Sequence, residues 1–176
     1  MPNPPPAGLH TLTKVVRSLI VVGAAALVIV PPLFWLQPDW VRSAAPVMAE
    51  LGREVAITVD DRALMLGGLC AVPSVMLGLY SLWQLWHLFG EYAAARFFGR
   101  AAQSRLRRFA WATLLGALFA PLQRALMSMV LTMGNPPGQR MLVFGFSSTD
   151  YYAILLGAVL LAIATVQTEA VRLAEE

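Results

Sequence analysis

Apolar residues in this chain gather in four long blocks, 18–36, 63–89, 109–133 and 151–168. The first block has no Asp, Glu, Lys or Arg, and the third is interrupted only by Arg124. A bilayer core about 30 Å thick takes roughly 20 residues of helix, and backbone in lipid must satisfy its own hydrogen bonds. The blocks therefore predict four spanning helices in one membrane domain over residues 1–176, an all-α integral membrane protein. Helices buried inside a soluble fold are the rival, and an apolar share of 58% in 176 residues argues against it.

Between the blocks the pattern changes from continuous to alternating. Val55, Ile57 and Val59 share one face of an extended segment, and Leu142, Phe144 and Phe146 share one face of another. Each segment runs into a helix-capping sequence, Asp60-Asp61 in the first case and Ser147-Ser148-Thr149-Asp150 in the second. Residues 55–59 and 141–146 are predicted as short strands paired outside the membrane in a two-stranded β-ribbon resting on the helix ends, since a lone ribbon is marginal. Each half of the chain then reads helix, outer loop, strand, helix. This predicts an internal two-fold repeat about an axis along the membrane normal; two unrelated extended loops are the alternative. The proline-rich residues 1–13 are read as a flexible leader.

Charge orients the four spans. The segment 90–108 carries Arg96, Arg100, Arg105, Arg107 and Arg108 against Glu91 alone, and Lys14 and Arg17 precede the first block. The first connection instead holds more acids than bases, with Asp39, Glu50, Glu54, Asp60 and Asp61 against Arg42, Arg53 and Arg62. Cytoplasmic loops collect Lys and Arg, so both termini and the middle loop are expected inside. The net charge of +3 describes this topology, and no direct nucleic-acid contact is read from it. Cleavage of the first block as a signal peptide at Ser43-Ala44-Ala45 is the rival, and the block is longer than an ordinary signal core. The middle loop is read as an interfacial helix, with Arg96, Arg100 and Gln103 on one face and Phe97, Phe98 and Ala101 toward lipid.

Few residues carry candidate chemistry. Arg124, with Gln123 beside it and Pro121 before it, is an ionisable group inside a span, which makes it a functional or structural candidate. Its expected partners are Asp39, Asp60 or Asp61. Asn135-Pro136-Pro137-Gly138 predicts a rigid outer turn, after which Arg140 is expected to pair with Asp60 or Asp61. Arg100, Arg105, Arg107, Arg108, Glu175 and Glu176 form a candidate cytoplasmic docking surface of mixed sign. His87 follows Trp83 and Trp86 without a second ligand at metal spacing, and Met127, Met129 and Met133 read as apolar filling. Cys70 is the single cysteine, so no internal disulfide forms. Gly67 with Ala71, Gly116 with Ala120 and Ala158 with Ala162 supply small pairs for helix packing. No nucleophile elbow, phosphate loop or metal cluster occurs, so neither an enzyme nor a cofactor is expected. The four blocks hold no carboxylate, which argues against an ordinary proton-coupled transporter.

Several stretches together resemble a bacterial family of small four-span membrane proteins, the domain-of-unknown-function family 2975. They are Leu33-Phe34-Trp35-Leu36, Pro38-Asp39-Trp40-Val41, Ile57-Thr58-Val59-Asp60, Leu82-Trp83-Gln84-Leu85-Trp86, Arg105-Leu106-Arg107-Arg108-Phe109 and Asn135-Pro136-Pro137-Gly138-Gln139-Arg140. Ser147-Ser148 with Asp150 and the ending 169–176 continue it, so that only residues 1–7 lie outside. Ala93-Ala94-Ala95 departs from a more polar stretch in that family. The resemblance implies a bacterial inner membrane, no catalytic residues, and a gene often placed beside a small helix-turn-helix regulator. The expected function is a non-enzymatic sensor or regulatory partner of such a cytoplasmic regulator, working in the lipid bilayer. A small transporter or channel component is the alternative. Oligomeric state is left open.

Overall fold

The computed structural model describes residues 7–48, 59–94 and 99–174. Five helices account for most of them: α1 (Ala7–Trp35), α2 (Pro38–Met48), α3 (Asp61–Ala93), α4 (Arg100–Thr132) and α5 (Ser148–Ala174). All but α2 are long and apolar enough to cross a membrane, and the chain is a multi-pass membrane protein. The helices outrun the apolar blocks because helix formation does not stop where lipid-compatible residues stop. α1 begins at Ala7, so residues 7–13 are helical where a flexible leader was expected. α4 begins at Arg100 and runs unbroken into its span, so Arg100–Arg108 opens that helix and forms no separate interfacial one. Arg96, Phe97 and Phe98 lie outside the described residues.

α2 was not expected. Pro38 opens it with a φ already set for a helix, and Asp39 in its first turn favours the positive end of the helix dipole. Val41 and Ala45, one turn apart, are fully buried. They meet Met127 and Leu131 of α4 and Val59, with Phe34, Trp35, Leu64 and Val143 packed around them. This is the main buried apolar cluster, and it sits at one end of the molecule. Elsewhere the spans expose most of their apolar side chains, including Leu19, Val22, Leu69, Met76, Leu118 and Leu156. That suits helices whose solvent on most sides is lipid.

Packing follows chain order: α1 lies on α3, α3 on α4 and α4 on α5, while α2 bridges α1 and α4. Small residues set the close approaches. The Trp35 ring lies over Gly67, where a Cβ would stand 2.2 Å from it. A Cβ on Gly157 would lie 2.8 Å from the Leu114 backbone. Gly67 and Gly116 therefore work as expected, but Ala158 and Ala162 are exposed, and Gly157 and Ala164 make the α5 contact instead.

The row also corrects the expected two-fold repeat. A rotation carrying α1 onto α4 and α3 onto α5 would turn the α3–α4 interface into an equal α5–α1 interface. No comparable α5–α1 interface occurs among the described helices. The described residues contain no strand either. Residues 55–58 of the expected ribbon lie outside them, and 141–146 has found a different support.

Candidate functional site

Residues 141–146 lie along α4, and their backbone is satisfied by α4 side chains. Met141 N–H donates to Thr132 Oγ1 at 3.0 Å, and Val143 N–H donates to Ser128 Oγ at 2.9 Å. The Arg124 guanidinium donates to Gly145 O at 3.4 Å. Positions 132, 128 and 124 are one helical turn apart, a step of about 6 Å over four residues. Positions 141, 143 and 145 are two residues apart, about 6.6 Å in extended chain. The two spacings agree, so an extended strap runs antiparallel to a helix and uses its hydroxyls as a second strand would use carbonyls. Both hydroxyls donate as well as accept. Ser128 also donates to Ala125 O at 2.8 Å, and Thr132 lies 2.8 Å from Ser128 O and 3.1 Å from Met141 O, sharing one proton between them.

The strap ends at Arg124. Its guanidinium forms an ion pair with Asp150, whose side chain is only 3% exposed. Asp150 also accepts from Ser147 N–H at 2.8 Å and Ser147 Oγ at 2.9 Å, while Asp150 N–H donates to Ser147 Oγ at 3.2 Å. This is the capping box expected at the start of α5, and it doubles as the counter-charge of Arg124. Arg124 thus meets a carboxylate and a carbonyl, as expected, but not the expected acid. Asp39 pairs instead with Arg42 at 3.1 Å within α2, and Asp60 caps α3 by accepting from Ala63 N–H at 2.8 Å. The carboxylate that meets Arg124 thus comes from the residue immediately before the fourth apolar block, and the four blocks themselves hold none. Gln123, next to Arg124, accepts from the Ser74 hydroxyl and ties α3 to α4.

The turn expected beyond α4 is present and is closed by hydrogen bonds. Gly138 has φ +93°, Asn135 is buried, and its amide donates to Gln139 O at 3.2 Å. Arg140 donates to Asn135 O at 3.2 Å and makes no ion pair with Asp60 or Asp61. Arg140 and Asp60 line one shallow depression, with Asp61 outside it.

At the other end of α4 the arginines divide. Arg105 turns toward α3, donates to Gln84 Oε1 at 3.1 Å and lies over the Trp83 ring at 5.3 Å. Gln84 is fully buried. Arg17 of α1 stacks on Trp86 at 3.8 Å. Arg100 and Arg107 line a cleft against Arg172 of α5, and Arg108 is exposed outside it. Of the expected docking set, Arg105 is committed to α3, Arg100, Arg107 and Arg108 are exposed, and Glu175 and Glu176 lie outside the described residues. His87 packs edge-on against Trp83 at 5.2 Å. No cluster of three metal-ligating side chains occurs among the described residues.

Sequence reasoning missed Ser128, Thr132 and Asp150 as one assembly. A signal existed: Arg124, Ser128 and Thr132 put three hydrogen-bonding side chains on one stripe of an otherwise apolar helix, opposite an alternating segment.

No curated protein and no solved structure matches the chain. A family does match, the one described as protein of unknown function (DUF2975). The match covers residues 37–176, from just before α2 through α5, and leaves out all of α1, including the Leu33–Leu36 stretch that the resemblance had included. The chain belongs to that family.

Proposed function

We propose that this protein is a non-enzymatic regulatory module of a bacterial inner membrane, with both termini and the arginine end of α4 in the cytoplasm. One observation carries the reading: the described spans form a row that encloses no path between its helices, and the exposed charge of the described residues is predominantly positive at the arginine end, whereas the other end mixes Asp39, Asp60 and Asp61 with Arg42, Arg62 and Arg140. Arg100, Arg107, Arg108 and Arg172 are exposed at the arginine end. Such a surface suits capture of a cytoplasmic partner, for which the helix-turn-helix regulator implied by the family resemblance is the first candidate.

Co-expression with the neighbouring regulator tests this. The regulator is expected in the membrane fraction with the parent chain and released from it by Arg107→Glu with Arg108→Glu. A regulator that stays soluble in the presence of the parent chain would refute the proposal. Orientation is tested separately. A reporter active only outside the cytoplasm is expected to work when fused after Gly138 and to be silent after Gly99; the reverse would overturn the topology.

The buried Arg124–Asp150 pair favours a second reading, transport, because paired charges within spans often mark ion pathways. In that reading several copies would assemble around a path, and reconstituted vesicles would show an ion flux abolished by Asp150→Asn.

A further inference from the structure

α1 and α3 part along one side to leave a groove. One stretch, of about 320 Å³, lies between residues 27–35 of α1 and 68–79 of α3. A second, of about 580 Å³, continues at the α2 end past Leu36 and Pro38 to Asp61. Pro32, Trp35 and Gly68 line both, so the two stretches are one groove. We infer that this groove binds a single-chain amphiphile with a net cationic head, its alkyl chain lying between the helices and its ammonium group at Asp61 and Trp35.

Shape selects the tail. Gly68 and Ala71 put almost no side chain between the helices, and the facing Pro31 and Pro32 put only a ring there. Every residue lining the first stretch is apolar. From Asp61 to Leu79 α3 rises about 27 Å, long enough to take an extended alkyl chain. Charge selects the head, and it sets this groove apart from other lipid-facing surface. Among the described residues Asp61 is the one charged side chain lining either stretch. It pairs with no described residue, whereas Asp39 is held by Arg42 and Asp60 by Ala63 N–H. Its neighbour Arg62 lines a separate depression with Arg140. Trp35 supplies an indole to the same stretch as Asp61, and indole rings attract alkylated ammonium groups. A phospholipid brings a phosphate to this place, which Asp61 repels; a head that is only cationic does not.

Binding here needs neither the proposed partner nor the proposed orientation, so failure of one leaves the other standing. The purified full chain in phosphatidylcholine nanodiscs is titrated with dodecyltrimethylammonium, and retained ligand is counted by native mass spectrometry. Saturable retention is expected. Dodecanol, with the same tail and no charge, should bind about fivefold more weakly, the upper end for an exposed ion pair. Asp61→Asn should remove that preference, while Asp39→Asn, an acid outside the groove, should change it less than about twofold. Ala71→Phe, which fills the first stretch, should weaken both ligands on the order of tenfold through lost burial of the tail. Asp61 is exposed, so its substitution tests the site even if Ala71→Phe disturbs the packing. Equal affinity for the two ligands, or equal effects of Asp61→Asn and Asp39→Asn, would overturn the head site. Retention that does not saturate, or that Ala71→Phe leaves unchanged with the unfolding midpoint intact, would overturn the groove in favour of ordinary lipid cover.

Discussion

The two ends of α4 meet opposite demands. At the α2 end, Met127 and Leu131 are enclosed by α2 and the strap, and the Ser128 and Thr132 hydroxyls both donate and accept inside the molecule. At the arginine end, Arg107 and Arg108 are exposed and Arg105 rests on a buried glutamine and an indole ring. The difference follows from what the backbone does nearby. Extended chain beside apolar helices must find partners for its N–H and C=O groups, and the α2 end holds the extended strap. The arginine end is helix throughout the described residues 100–108, so beyond its uncapped first turn the backbone is satisfied internally and makes no demand on neighbouring side chains.

If that contrast is right, damage should be graded by end. Arg124→Leu should be the most harmful change. It leaves Asp150 buried without its counter-charge, a loss of about 3–5 kcal/mol, read as a lowered unfolding midpoint in mixed micelles. Arg124→Leu with Asp150→Leu should recover part of it, and no recovery would deny that the two act as a pair. Gly157→Leu comes next. Its side chain would run into the Leu114 backbone, and the overpacking should cost about 1–3 kcal/mol and loosen α5, seen as faster proteolysis of the 133–147 connection. Ser128→Ala removes the acceptor for Val143 N–H. It should cost about 1–2 kcal/mol and raise hydrogen exchange at the strap amides before the helices open. Arg108→Gln, at the other end, should stay within about 0.5 kcal/mol. A loss there as large as that of Ser128→Ala would erase the distinction between the ends.

The spans were legible because lipid demands long apolar runs that no loop needs. α2 was hidden because Ser43, Ala44 and Pro46 give it no such run, although Pro38-Asp39 marks its start and Val41 with Ala45 its buried face. The alternation of 141–146 correctly indicated extended chain. The support from α4 was hidden because extended segments are ordinarily matched to other extended segments, whereas here a helix supplies acceptors at an equivalent spacing; the expected pairing with 55–59 falls mostly on residues outside those described. Arg124 stood out as a costly charge, yet its partner was sought among the acids nearest the expected surface. Asp150 reads in the sequence as a cap, a role that already occupies it. One carboxylate can serve both roles because each of its oxygens accepts more than one hydrogen bond.

The strap also behaves as a toothed rack against α4. Its teeth are the amides of Met141 and Val143 and the carbonyl of Gly145, and the matching notches are Thr132, Ser128 and Arg124. Shifting by one residue would turn the wrong edge of the chain to the helix and drive Leu142 and Phe144 inward. The nearest setting that keeps teeth in notches is one notch away, four residues along α4 or about 6 Å. α5, fastened to the end of the rack at Asp150, therefore has discrete stops along α4 rather than a continuous slide.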